Sequence, residues 1–304
     1  MVERVTGNPK FLRNVSTEAS SSSVAMLRTL RSVTRNTLRS LPYPHRGGQE
    51  SIGQSAHRRT RVVTIGSQCC SSMGLRRALL MQRESSIQIA GYPATPVDFA
   101  HGTVAISLYR VSRLEDHVDR ESLLRDDRTA EPPYWAHLWV GAIALARRLA
   151  ESNVLSGRRV LDLGCGLGLP GIVAAALGAE VWCVDRVPAA LEFAAASAER
   201  NRLAPRVRCV LLDFMNEKLD ADFDLILAAE LVYDPQSYRP LCDFLDRHLC
   251  HGGEIHLTDA FRSDAVSFFT ELRSRGFEGR REARREWEDG RLQPLFLWTF
   301  RRSG

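Results

Sequence analysis

The sequence has no run of about 18 uncharged apolar residues, so it offers no candidate for a transmembrane helix and we expect no membrane contact. It also has no Cys-x-x-Cys pair, the spacing typical of structural zinc sites, and we expect no metal. The cysteines number seven, an odd count, and most lie apart along the chain. That pattern is typical of reduced thiols rather than of a disulfide framework, and it predicts a cytoplasmic protein. We expect a monomer.

Basic charge is concentrated at one end of the chain. Residues 1–80 contain 13 Lys or Arg and three acids, whereas residues 81–304 contain 28 bases and 33 acids. The net positive charge of the chain therefore belongs to the first segment alone. It gives no evidence that the remainder binds nucleic acid, and we expect no nucleic-acid partner.

Residues 1–80 are rich in Ser and Arg and show no sustained hydrophobic period, so we interpret them as a disordered tail. Three explanations of the tail are open. It is a region upstream of a true start at Met81, a transit peptide that would direct the protein to mitochondria, or a basic arm that touches nucleic acid or membrane. The first is favoured.

The rest of the chain divides at Pro132-Pro133. Residues 81–131 are interpreted as a small N-terminal β-hairpin extension, because residues 103–109 alternate between apolar and other side chains. Residues 132–304 are interpreted as the main domain. It opens with a helix over 141–152, where apolar residues recur at helical spacing.

From residue 159 onward, short apolar strands alternate with helices. We predict strands at 160–163, 180–185, 207–212, 223–228 and 253–258, and helices at 170–177, 188–201, 236–249 and 263–276. Two late strands, near 279–286 and 293–301, are separated by a short turn and must form a hairpin. The prediction is an α/β, Rossmann-like fold. A seven-stranded, mostly parallel sheet carries one antiparallel strand and has helices on both faces.

A glycine-rich loop, Gly164-Cys165-Gly166-Leu167-Gly168, follows the first of these strands and precedes a helix. Glycines at such a turn adopt positive φ and let backbone approach a ligand closely. Leu169 stands where the third glycine of the dinucleotide fingerprint would fall, which argues against a pyrophosphate ligand. By itself the loop is also compatible with a tight turn that binds nothing.

Polar residues close the next two strands. Asp185 is placed to accept hydrogen bonds from both hydroxyls of a ribose, or alternatively to cap the helix that follows. Asp213 is placed to meet an adenine amino group, with Phe214 covering the ring, or alternatively to begin an ordinary polar loop. Because ligands of open parallel sheets bind at the carboxyl ends of strands, these residues and Ala229 indicate one nucleoside site.

Three stretches, residues 133–139, 160–171 and 228–234, resemble a known family. The second resembles motif I of class I methyltransferases that use S-adenosyl-L-methionine (SAM). Together they are most similar to the seven-strand "family 16" protein-lysine methyltransferases, and within these to the electron transfer flavoprotein β-subunit lysine methyltransferase branch. The resemblance covers roughly residues 100–301 and implies SAM as the cofactor and a lysine-bearing protein as the substrate.

Carried over by position, the resemblance implies that SAM is contacted by Trp139, Gly164, Cys165, Gly166, Asp185, Phe214 and Ala229. It also implies that Glu230 and Tyr233 line the part of the site that receives the methyl-accepting amine, here called the acceptor side. Glu230 would orient the amine, and Tyr233 would bond to it or line its channel. Glu230 is a departure, because the family usually has Asp there.

Two other functions remain open at this point. One is a small-molecule N-methyltransferase acting on a nicotinamide-like amine, which would use the same sheet and loop. The other is a protein that binds SAM without transferring its methyl group. A nucleic-acid methylase is disfavoured, because the Asn-Pro-Pro-Tyr tetrad typical of such enzymes is absent.

Overall fold

A computed structural model describes residues 87–118, 132–151, 155–259, 265–288 and 290–303. The predicted tail over 1–80 and the parts of the extension over 81–86 and 119–131 lie outside the described residues. Within the described ranges no helix is long and apolar enough to cross a bilayer.

The N-terminal extension is a three-stranded antiparallel sheet formed by β1 (Ile87–Ile89), β2 (Tyr92–His101) and β3 (Val104–Val111). The hairpin predicted from the sequence is the β2–β3 pair, and β1 adds a short third strand. The sheet is fastened to the main domain by polar contacts. The amide of Ser107 donates to Asn201 Oδ1, and the amide of Tyr109 donates to Ser197 Oγ, each at 2.9 Å.

The main domain is built on one seven-stranded sheet. Its strands are β4 (Arg159–Leu163), β5 (Glu180–Asp185), β6 (Val207–Leu211), β7 (Phe223–Ala229), β8 (Leu249–Asp259), β9 (Phe277–Glu288) and β10 (Arg291–Arg302). They lie in the order β6-β5-β4-β7-β8-β10-β9, and β10 runs antiparallel to both of its neighbours. The predicted fold, mostly parallel with one antiparallel strand, is confirmed.

In the described part of the chain, five α-helices cover the two faces of this sheet. They are α1 (Val140–Glu151), α2 (Leu169–Ala176), α3 (Pro188–Arg200), α4 (Tyr238–His248) and α5 (Val266–Ser274). Successive residues of a strand point to opposite faces, so Val160 joins the core under α1 and α2 whereas Leu161 joins the core under α4 and α5. Burial on both faces explains why the central strands are almost continuously apolar.

The hairpin of β9 and β10 is longer than predicted and extends beyond the sheet. The pairing of β10 with β8 ends at Phe296 opposite Asp259, whereas the pairing of β10 with β9 continues to Arg291 opposite Glu288. The hairpin therefore continues past the last residue of β8, at the edge where the parallel strands have their carboxyl ends.

Candidate active site

The glycine loop is a compact turn between β4 and α2. Gly164, Gly166 and Gly168 have φ of 61°, 51° and 79°, the left-handed region that favours glycine. A Cβ at Gly164 would stand 2.5 Å from Leu231 Cδ2, and one at Gly168 would stand 2.9 Å from Ala194 Cβ. Both conformation and space therefore require glycine here.

A cleft opens above this loop at the carboxyl ends of β4, β5 and β7. Nine of the residues predicted for the site line it: Trp139, Gly164, Cys165, Gly166, Asp185, Phe214, Ala229, Glu230 and Tyr233. They come from five separate stretches of chain. The fold thus brings together residues as far apart in sequence as Trp139 and Tyr233.

The tenth predicted residue, Asp213, is not among the residues that line the cleft. Its carboxylate oxygens accept hydrogen bonds from the amide of Met215 and the side-chain amide of Asn216, each at 3.0 Å. These contacts organise the loop after β6, the alternative weighed from the sequence. Contact of Asp213 with an adenine stays a prediction, and Phe214 beside it does reach the cleft.

Asp185 lines the cleft and is hydrogen-bonded to the glycine loop. Its Oδ2 accepts from the amide of Gly166 at 2.9 Å, and its Oδ1 accepts from the amide of Val187 at 3.0 Å. Burial raises the pKa of this carboxyl group, against the opposing effect of these two amides. A carboxylate has about four acceptor positions, and the backbone amide of Arg186 also interacts with it, so capacity for a ligand hydroxyl remains. The side chain does not cap α3 (Pro188–Arg200), whose N-cap residue is Val187.

Sequence reasoning missed Asp162, His137 and Arg186, which also line the cleft. Asp162 is buried in β4, and its Oδ2 accepts from the amide of Gly171 at 2.8 Å. Burial raises the pKa of Asp162 to about 8. A charged residue within an otherwise apolar strand was the available signal, because such a group is rarely buried without a role.

Glu230 follows β7 in a left-handed conformation with φ of 56°. For a residue with a Cβ this costs about 1–2 kcal/mol, and such strain concentrates at functional sites. Its amide donates to Thr258 O at 3.3 Å, which fixes the turn against β8. The side chain lies against Gly141 in the first turn of α1.

One wall of the cleft is formed by aromatic residues that precede α1. Trp139 Nε1 donates to Tyr134 O at 2.9 Å, and the His137 ring meets the Trp139 ring edge-on at 4.6 Å. Glu288 Oε1 lies 3.2 Å from His137 Nε2 and accepts from the amide of Val140 at 3.2 Å. Trp139 is thus held at the cleft by several independent contacts.

The acids of the cleft suit a positively charged nucleoside. Asp185 and Glu230 line it, against Arg186 as the one arginine among the described residues that line it. A pyrophosphate would meet these carboxylates unfavourably, whereas the sulfonium and ammonium groups of SAM would be attracted to them. Apolar residues such as Leu212 and Phe214 offer walls for an adenine. The residues present therefore fit SAM.

Comparisons with known proteins agree with this geometry. The model of the lysine methyltransferase family matches residues 117–275. The chain is 39% identical over 150 residues to "Protein N-lysine methyltransferase METTL21A" of Danio rerio, a match that covers 46% of this chain and 67% of that protein. It is 36% identical over 142 residues to "Electron transfer flavoprotein beta subunit lysine methyltransferase" of Xenopus laevis, covering 44% and 55%.

Among solved structures, the chain is similar to the N-methyltransferase NodS from Bradyrhizobium japonicum in complex with S-adenosyl-L-homocysteine. The sequence identity is 20%, the TM-score is 0.46, and the match covers 63% of this chain and 97% of that one.

Proposed function

The chain belongs to the lysine methyltransferase family, and from that premise we propose that it transfers the methyl group of SAM to lysine side chains of a protein substrate. One observation carries the proposal. Glu230 and Tyr233, at the end of β7, line the same cleft as Asp185 and the glycine loop. The relatives it matches, of which it spans 67% and 55% of the length, are named for methylation of protein lysines.

SAM is the methyl donor, and when bound it supplies a methyl group already activated by a sulfonium. The residues of this chain that would hold it are those of the glycine loop, Asp185 at the ribose hydroxyls, and Phe214 at the adenine, all of which line the cleft. The chain's main task is then to align donor and acceptor, because positioning supplies much of the rate in such a displacement.

The acceptor must be a neutral amine, and free lysine has a pKa of about 10.4. Glu230 is placed to attract and orient the incoming side chain through its carboxylate. Trp139 and Tyr233 line the cleft as well, and burial of the amine between them would disfavour the charged form and lower the lysine pKa. Glu230, one methylene longer than the Asp usual in the family, can act here because the left-handed turn and Gly141 leave room for it.

The test is to incubate the full chain with methyl-labelled SAM and an extract of cells that lack the protein. We expect a labelled protein band in which mass spectrometry finds methyl-lysine. Label confined to small molecules would overturn the proposal in favour of a small-molecule methyltransferase. Binding of SAM without any labelled product would favour a protein that binds the cofactor without transferring its methyl group.

We also propose a cytoplasmic location. The support is that the cysteines in the described part of the chain, which include Cys165 and Cys183 beside the cofactor loop, are free thiols. Fractionation of cells that express the full chain tests this. Recovery in mitochondria would favour the transit-peptide explanation of residues 1–80.

A further inference from the structure

The hairpin of β9 and β10 forms an arm next to the acceptor side of the cleft. It continues past the end of β8, at the edge of the sheet where Glu230 and Tyr233 follow β7. Four ladder pairs separate the last contact with β8 from the Glu288–Arg291 pair near the tip. At about 3.4 Å per residue, this extension exceeds 10 Å.

The face of this arm that continues the α5 side of the sheet is here called the outer face. It consists of the cross-strand pairs Trp287–Leu292 and Arg285–Pro294, followed by Ala283 opposite Phe296. Trp287 is 62% exposed and Leu292 is 45% exposed. Closer to the body of the protein the same face is covered, because Phe269 of α5 stacks on Trp298. An apolar ladder thus passes from the core into solvent.

The opposite face of the arm is firmly attached to the cleft wall. Leu295 is fully buried and packs with Val140 and Ala144 of α1. Near the tip, Glu288 contacts His137 and accepts from the amide of Val140. Docking on the outer face would therefore require little ordering of the arm, and rigid presentation favours binding.

The charge on and beside the outer face is positive, which favours an acidic partner surface. Arg281 lies over the Phe296 ring at 4.5 Å, and Arg285 lies beside the Trp287–Leu292 pair on the same face. Both arginines are exposed. Trp and Arg are among the residues that most often dominate protein interfaces, and the exposed Trp287 and Leu292 leave apolar surface in water that a docked partner would bury.

We propose that the outer face is the docking surface for the methyl-accepting protein, whose contact region is apolar and rimmed by acidic residues. This inference rests on the proposed function and specifies its substrate. Docking holds the substrate protein beside the rim while one of its lysines enters between Glu230 and Trp139. The arm, rather than the cleft, then determines which proteins are methylated.

The test uses the full chain carrying both Trp287→Ser and Leu292→Ser, labelled SAM, and the extract protein that the wild type labels. We expect the initial labelling rate in dilute extract to fall at least tenfold and to recover as the extract is concentrated. SAM affinity should be unchanged. Arg285→Glu should lower the rate most at low ionic strength, because salt screens exposed charges.

The matched control is Ile87→Ser, which removes a similarly exposed side chain (41%) from the N-terminal sheet and should leave the rate unchanged. A double variant that labels the protein at the wild-type rate overturns the inference and leaves the proposed function intact. So does a wild-type dimer that the double variant converts to a monomer, because the outer face then binds a second copy. If the wild type labels no protein at all, the proposed function fails and the inference fails with it.

Discussion

Gly141, in the first turn of α1, lies directly against the side chain of Glu230. A Cβ at position 141 would stand 2.6 Å from Glu230 Oε1 and 2.4 Å from Thr258 Oγ1. Glycine within a helix costs about 1 kcal/mol relative to alanine, so Gly141 makes α1 less stable than alanine would. The absence of a side chain at Gly141 leaves space for the carboxylate of Glu230, which follows β7.

Replacement of Gly141 by alanine should therefore impair methyl transfer without impairing cofactor binding. The new methyl group must displace Glu230 or Thr258, and misplacement of a catalytic group by about 1 Å can cost on the order of 100-fold in rate. We expect the transfer rate to fall at least tenfold, measured with labelled SAM, and the SAM dissociation constant from calorimetry to change less than twofold. Wild-type activity in Gly141→Ala would show that Glu230 needs no fixed position.

Glu230→Gln tests the role of the negative charge of Glu230, because the substitution keeps the size and shape of the side chain. The amide keeps the size of the side chain but cannot attract an ammonium group or accept its proton, so we expect the transfer rate to fall about 100-fold. Glu230→Asp restores the residue usual in the family and should retain more activity than the amide. Tyr233→Phe should cause a smaller loss, since it removes one hydroxyl.

The matched control for this series is Glu180→Gln, an exposed acid at the first residue of β5, at the other end of that strand from the cleft. It should behave as the wild type does. Equal activity of Glu230→Gln and Glu180→Gln would remove Glu230 from the mechanism.

Asp185 ends β5 and Asp213 follows the neighbouring strand β6, yet the two residues should differ in their effect on SAM binding. Asp185→Ala removes a carboxylate that lines the cleft and holds the loop amides, and hydrogen bonds to a charged group contribute about 1.5–3 kcal/mol. We expect the dissociation constant for SAM to rise roughly 10- to 100-fold. Asp213→Ala should raise it less than twofold, because that carboxylate is bonded within its own loop. A similar loss in both variants would instead support the predicted adenine contact.

Much of the fold could be predicted because its signals are local. The apolar strand at 160–163, the glycines after it and the helix at 170–177 are consecutive in sequence, and parallel topology follows from their alternation. The same logic placed Asp185 and Glu230 at one edge of the sheet. Position at a strand end, however, does not determine where a side chain points, and this is why Asp213 could be assigned to the adenine while its carboxylate bonds within its own loop.

Other features depend on contacts between distant residues and leave no local signal. The room that Gly141 makes for Glu230 joins positions 89 residues apart, and the contact of Glu288 with His137 joins positions 151 apart. The length of the arm formed by β9 and β10 depends on where β8 stops pairing with β10. No feature of the hairpin sequence itself reveals that point. Periodicity could define these strands, but only the assembled sheet shows that Trp287 remains exposed.

The buried carboxyl group of Asp162 should make stability fall as pH rises. Its pKa is about 8 in the folded protein, whereas an unfolded Asp has a pKa of about 3.9. Between these values the folded state holds a proton that the unfolded state has released. The contribution of Asp162 to the free energy of unfolding is therefore fully present below about pH 4. It is lost as pH rises toward 8, by at most about 1.4 kcal/mol per pH unit.

Asp162→Asn should reduce this dependence. The amide oxygen can still accept from Gly171, and the side chain no longer ionises, so the variant should lose less stability than the wild type between pH 5 and pH 7.5 (on the order of 1 kcal/mol or more). Urea unfolding at both pH values measures the difference. Asp185, whose pKa is also raised by burial, titrates in the same direction, so part of the slope should persist in the variant. Parallel pH profiles for the two proteins would show that Asp162 is ionised in the folded state, and that its charge is compensated by Gly171 and the loop amides rather than by a proton.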